Sequence, residues 1–119
     1  MTANKNTVER YIEGFRRGDH EQILSCVTDD VLWEIHGHAT VRGKSDFAGA
    51  INNEATPGLP TLTIDRLIQE GDSVVAVGNG GVDLAAGGRL EFLFCDVFTF
   101  SGEQISRLET YQVNLSGTV

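Results

Sequence analysis

Four apolar residues near the start of the chain set the first element. Val8, Tyr11, Ile12 and Phe15 fall at i, i+3, i+4 and i+7, one face of a helix. Asn6 with Glu9 three residues on predicts a capping box at its start. Arg16 and Arg17 suit the negative end of the helix, and Gly18 suits its stop. Asp19, with Gln22 at the third position, then caps a short second helix whose apolar face is Ile23, Leu24 and Val27. Asp29-Asp30 reads as a turn, and Val31 to Ile35, rich in β-branched and aromatic residues, as a strand. Residues 36–43 read as a loop or hairpin edge. Lys44 or Ser45 opens a third helix with Phe47, Ala48 and Ile51 on its buried face. Pro57, Gly58 and Pro60 exclude regular structure over 52–60.

Beyond Thr61 the period changes from helical to alternating. Strands are predicted near 61–69, 73–84, 88–100 and 104–113. Gly71-Asp72, Gly87-Gly88 and Ser101-Gly102 mark the turns between them. Helices followed by an antiparallel meander make an α+β arrangement. The third of these strands places Phe92, Phe94, Asp96, Phe98 and Phe100 on one face and Leu93, Cys95 and Val97 on the other. A strand apolar on both faces needs cover on both. Helices cover one; a second copy of the chain is expected to cover the other, giving a homodimer through the outer sheet face.

The chain has 119 residues, so it reads as a single domain, 1–119. It carries 9 Lys and Arg against 17 Asp and Glu, and a net charge of -8 argues against a nucleic-acid partner. No apolar run approaches the roughly 18 residues of a membrane span, and no apolar signal core follows Met1, so a cytoplasmic protein is expected. Cys26 and Cys95 have no nearby partner and read as small buried hydrophobes.

Two stretches resemble a known family. Glu9-Arg10-Tyr11-Ile12-Glu13-Gly14-Phe15-Arg16-Arg17-Gly18-Asp19, with Asp29-Asp30-Val31-Leu32-Trp33, is similar to the opening of the NTF2-like superfamily, in its SnoaL-like polyketide cyclase and ketosteroid isomerase branches. Cys95-Asp96-Val97-Phe98-Thr99-Phe100, with Gly102 and Ile105, resembles their last hairpin. The resemblance implies a cone: three N-terminal helices packed in a strongly curved antiparallel sheet, around a pocket for a small apolar organic ligand. Gly78-Asn79-Gly80-Gly81 lacks nucleotide-loop spacing and fits a sharply bent strand instead.

Tyr11 lies where the ketosteroid isomerases carry their oxyanion-stabilising tyrosine, and Asp96 where they carry an acid that stays protonated. The neighbouring Phe94 and Phe98 would desolvate Asp96 and raise its pKa. The family's general base is absent, because Ile35 occupies its place. Strand alternation groups Val77, Asn79, Gly81 and Asp83, and the resemblance suggests that this face lines the pocket. Asp83 then has two readings: a substitute base with Asn79 orienting a carbonyl, or a solvated side chain before the Gly87-Gly88 turn. Against the epoxide hydrolases of this fold, Asp83 matches one aspartate, while Gly81 and Thr110 replace the arginine and the second aspartate. Phe15, Trp33, Ile35, Phe47, Ile51, Phe94 and Phe98 are the expected apolar walls, with Trp33 stacking on a flat ligand. His36 and His38 sit at the expected mouth without a third ligand, and His20 on a surface helix turn, so no metal and no cofactor is implied.

Two functions remain open on the sequence. One is an isomerase or cyclase moving a proton on an apolar carbonyl compound, with Tyr11 and Asp96 stabilising the oxyanion and Asp83 as base. The other is a non-catalytic module that binds a ligand or a protein.

Overall fold

The computed structural model describes residues 2–51 and 58–115. Helix α1, Ala3–Arg17, begins one turn earlier than its apolar stripe suggests. Thr2, in extended conformation, accepts from the Lys5 amide at 3.1 Å and is the N-cap. Asn6, expected as the cap, lies inside the helix and donates its amide to the Thr2 carbonyl. At the other end Gly18 takes the left-handed conformation at φ 65°, which a glycine adopts without strain. Asp19 caps α2, His20–Ser25, by accepting from the Gln22 amide at 3.0 Å, as predicted.

Strand β1, Val27–Ile35, includes Asp29 and Asp30, so the expected turn there is a correction. The register against its neighbour shifts between Val27 and Leu32. The two aspartates occupy that irregular stretch and remain exposed, so they keep their hydration without leaving the strand. Val27, expected on the second helix, is the first residue of β1. A hairpin leads to β2, Ala39–Arg42, and then to α3, Gly43–Ala50, whose Phe47 is fully buried. Part of the irregular 52–60 stretch, residues 52–57 with Pro57, lies outside the described residues. The meander follows as β3 (Thr61–Glu70), β4 (Ser73–Asp83), β5 (Arg89–Ser101) and β6 (Gln104–Asn114).

All six strands form one sheet in the order β2-β1-β6-β5-β4-β3. The meander is antiparallel, but β1 joins the free edge of β6 in parallel. The sheet is therefore mixed, which corrects the expected all-antiparallel sheet. Side-chain alternation along a strand is the same for either direction of its neighbour, so the pattern alone carries no sign of a parallel pair.

The helices lie against one face of this sheet, α1 over β3 and β4 and α3 over β1. Phe92, Phe94, Phe98 and Phe100 turn to that inner face and are buried, as predicted. Val8, Tyr11, Ile12, Ile23 and Leu108 close the core around them. Two glycines shape β4 from inside. A Cβ on Gly78 would lie 2.0 Å from the Thr63 carbonyl oxygen and 2.7 Å from the Phe94 ring. A Cβ on Gly80 would lie 2.4 Å from the Thr61 carbonyl oxygen and 3.0 Å from the Phe92 ring. The absent side chains let both rings lie across β4, beside a register shift between Ile64 and Arg66 of β3. On the opposite face Leu93 is 45% exposed, Tyr111 46% and Val113 59%. Nothing within the described chain covers them.

Candidate functional site

The curved sheet and the helices enclose a cavity of about 640 Å³. Tyr11 enters it from α1, Trp33 from β1, Asp96 from the middle of β5, and Leu108 and Thr110 from β6. These five define the inner end. Phe15, Leu62, Phe92 and Phe94 make apolar walls further out. Gly18, His20, Leu59 and Pro60 lie at the rim.

Asp96 is the unusual group. Its Oδ1 atom is buried and has no hydrogen-bond partner among the described residues. Burial pushes its pKa up to about 7, while hydrogen bonding from the Thr110 hydroxyl pulls the other way and by less. Asp96 and Thr110 stand opposite each other on β5 and β6. Thr110 Oγ1 also accepts the Trp33 indole N–H at 2.9 Å, which leaves its own proton free to point at the carboxyl. Tyr11 is buried, and its pKa lies well above 10.0, first through desolvation, then through the Asp96 charge, then through Cys26. Its phenol stays protonated and is a donor at any ordinary pH. The inner end thus holds two neutral donors in an apolar wall, one of them poised to lose its proton near neutrality.

The expected site residues divide into three groups. Tyr11, Phe15, Trp33, Ile51, Phe94 and Asp96 line the cavity. Phe47 and Phe98 stand behind it: the Phe47 ring is 4.8 Å from Trp33 and the Phe98 ring 5.5 Å from Tyr11. They hold the lining side chains rather than touch the space. Ile35, Asn79 and Asp83 lie elsewhere. Ile35 borders a separate shallow groove of about 260 Å³ with His36 and His38.

Asn79 and Asp83 occupy the outer face of β4, both exposed, and Asp83 pairs with Arg89 at 3.1 Å. The inward reading of this face, with Asp83 as base and Asn79 orienting a carbonyl, is overturned, and the exposed Asp83 fits its other reading, a solvated side chain before the Gly87-Gly88 turn. Val74, Ala76, Gly78, Gly80 and Val82 point inward instead. Gly81 opens no space in the pocket. A Cβ there would meet the Arg89 guanidinium at 2.7 Å, so its bareness seats the outer Arg89–Glu91 pair.

Thr110 and His20 were not expected in the lining. For Thr110 the one signal was the resemblance to the epoxide hydrolases of this fold, which set it at the place of their second aspartate. For β4 the signal was present: Val82 and the two glycines share a face with Val74 and Ala76. The apolar Val75 and Val77 on the other face made the choice ambiguous. His36 stacks on Tyr111 with ring centres 4.4 Å apart, and its Nε2 faces Glu109 at 3.5 Å. Among the described residues no group of three His, Cys, Asp or Glu is placed to hold a metal ion. No described helix is long and apolar enough to cross a membrane.

The SnoaL-like domain family matches residues 8–108. The chain belongs to the SnoaL-like domain family. A search of the curated proteins found no sequence relative. Solved structures share the SnoaL-like architecture, an α+β NTF2-like fold. An NTF2-like protein of unknown function from Burkholderia pseudomallei K96243 superposes with a TM-score of 0.86 at 22% identity, over 93% of this chain and 91% of that one. An LEH-like epoxide hydrolase from M. tuberculosis gives 0.81 at 19% identity, over 93% and 82%. TerC, co-crystallised with polyporic acid, gives 0.81 at 24% identity, over 92% and 91%.

Proposed function

We propose that this SnoaL-like protein binds a flat, apolar carbonyl compound and moves a proton on it, as an isomerase or cyclase does. The observation that carries the reading is the Asp96 carboxyl, buried at the inner end of an apolar cavity with a pKa of about 7. In its protonated form Asp96 donates to the carbonyl oxygen and Tyr11 supplies a second donor. Together they stabilise the charge that grows on that oxygen as the compound enolises. Near neutral pH half of the Asp96 population is ionised. The ionised form of Asp96 cannot make that donation; in it Asp96 accepts the proton from the carbon beside the carbonyl while Tyr11 alone holds the oxygen. No other carboxylate lines the cavity among the described residues, so Asp96 carries the acid–base chemistry. The polyporic acid complex of TerC supports the view that a cavity of this fold accepts a small organic molecule. The similarity to an epoxide hydrolase does not extend the same way. Asp83, matched to one of its aspartates, is outside the pocket, and Gly81 and Thr110 replace the other groups.

Phenolates resemble a bound enolate, so 2-naphthol should bind more tightly than 2-methoxynaphthalene, followed by Trp33 fluorescence. Asp96→Asn and Tyr11→Phe should each reduce that preference. Equal binding of the two probes, or a preference that survives both substitutions, would reject the reading.

A non-catalytic ligand-binding module is the second reading, favoured by the outward position of Asp83 and Asn79. It gains if phenols bind but no carbonyl compound that occupies the site exchanges its α-hydrogens with solvent. A second copy of the chain on the open outer face of the sheet also belongs to our proposal, supported by the exposed Leu93, Tyr111 and Val113. So does a cytoplasmic location, with Cys26 and Cys95 as free thiols.

A further inference from the structure

The cavity has a second polar end. Along α1, Tyr11 and Gly18 are seven residues apart, about 10 Å at a rise of about 1.5 Å per residue. Along β5, Asp96 and Phe92 are four residues apart, about 13 Å at about 3.3 Å each. The two measures agree that the space runs on the order of 10 Å outward from the Tyr11–Asp96 end. Phe15, Leu62, Phe92 and Phe94 wall that length and offer no hydrogen bond. At its outer end is His20.

The backbone at His20 is set from both sides, and its side chain is exposed. Gly18 turns it out of α1 in the left-handed conformation, and the Asp19 carboxylate locks the start of α2 through the Gln22 amide. A Cβ on Gly18 would lie 2.7 Å from the Leu59 side chain, so the glycine lets Leu59 close down beside the turn. His20 is thereby placed at the rim beside Leu59. No Lys or Arg lines the cavity among the described residues. The nearby Arg16 is engaged, its Nε donating to the Leu62 carbonyl at 2.8 Å and one guanidinium nitrogen pairing with Glu13 at 3.1 Å. The Gln112 side chain, also in the lining, donates its amide to Asn114 at 3.0 Å. His20 is the one lining group that offers a donor and, when protonated, a positive charge at this end.

We propose that His20 is the outer recognition point of the pocket, holding a carboxylate at the far end of an elongated, flat ligand whose inner oxygen meets Tyr11 and Asp96. This rests on the proposed function for its inner contact and names the substrate class: a rigid, apolar, two-ended molecule with an acidic group opposite its carbonyl or enol. His20 acts on specificity and takes no part in the proton transfer. A net charge of -8 on the protein repels an anion in general, so a tight carboxylate ligand needs a local cationic partner.

The test compares 4-phenylphenol with 4′-hydroxybiphenyl-4-carboxylate, by calorimetry and Trp33 fluorescence at one pH. The carboxylate should bind about tenfold more tightly to the wild-type protein, the worth of one charged hydrogen bond at a partly exposed site. His20→Ala should remove that advantage, bringing the two probes to equal affinity. His20→Arg should restore it. Asp96→Asn should weaken both probes and leave their ratio intact. If 4-phenylphenol binds through Asp96 but the carboxylate adds nothing, or its advantage survives His20→Ala, the role of His20 is wrong while the inner site stands. If neither probe binds the wild-type protein, both fail.

Discussion

Thr110 stands directly opposite Asp96 across the β5–β6 ladder, and its hydroxyl is already taken as an acceptor by the indole of Trp33. A hydroxyl that accepts from one neighbour has its proton left for another. The Asp96 carboxyl is that other neighbour, and the hydrogen bond favours its ionised form. The acidity of Asp96 is thus set by a contest between an apolar wall and one threonine.

Removing the threonine should let the wall win. Thr110→Val is expected to raise the Asp96 pKa above its value of about 7, read from the carboxyl carbon by NMR titration. The same substitution leaves the Trp33 indole N–H without a partner and should destabilise the fold by about 1–3 kcal/mol. An unchanged or lower Asp96 pKa would show that Thr110 does not hold the ionised form.

Asp96 should also make stability depend on pH, with a definite sign. Between its ordinary value of 3.8 and its folded value of about 7, the folded state keeps the proton that the unfolded state has released. Raising the pH through that window therefore lowers stability, and the loss is complete above the folded value. The full effect is on the order of 4 kcal/mol, from about 1.4 kcal/mol per pH unit. Asp96→Asn buries a neutral group at every pH. Urea denaturation should find the variant gaining on the wild-type protein from about pH 4 to about pH 8. A constant difference between the two would mean that Asp96 is solvated or paired in the folded state.

The elements were largely written in local patterns. The turns Gly71-Asp72, Gly87-Gly88 and Ser101-Gly102 bound the meander within a residue or two, because hairpin chemistry is local. The inward row of phenylalanines with Asp96 follows from strand period alone, and so do the Asp19 cap and the Gly18 stop. Three features depend on partners distant in sequence. The parallel β1–β6 pair needs the last strand to meet the first. The faces of β4 were indistinguishable at 74–77, where both are apolar. Thr110 belongs to the site only because β6 pairs with β5 in that register. The inward reading of Asn79 and Asp83 has the same origin: with period two, a choice of face moves every residue of the strand together.

The glycines of β4 test that choice. Gly78→Ala and Gly80→Ala would press a methyl group into the carbonyl oxygens of Thr63 and Thr61, at 2.0 and 2.4 Å, and into the Phe94 and Phe92 rings. Backbone cannot swing aside, so each should cost about 1–3 kcal/mol or more and disturb the pocket wall. A Cβ at Gly81 meets only the ends of Arg89 and Glu91, exposed and flexible. Gly81→Ala should cost well under about 1 kcal/mol. Thermal melts of the three variants check the order, and a Gly81 variant as damaged as the others would place that face inward after all.

The outer face makes the last prediction. Across the sheet, Val113 pairs with Leu93, and Tyr111 with Cys95 and then Val77. This apolar patch is bounded by Glu34, Arg107 and Glu109, which form ion pairs among themselves. A surface that carries both an apolar centre and charges of both signs at its margin can meet its own copy about a two-fold axis, because each patch supplies what the other needs. The wild-type chain should therefore sediment at twice its 12.9 kDa mass. Leu93→Glu is half-exposed in one chain and should leave the folded protomer intact, yet it sets two buried carboxylates against each other in the pair. It should sediment as a folded monomer, with its melting shifted down by the lost association. A wild-type monomer at micromolar concentration, or a Leu93→Glu dimer, would leave the outer face free and return it to a different partner.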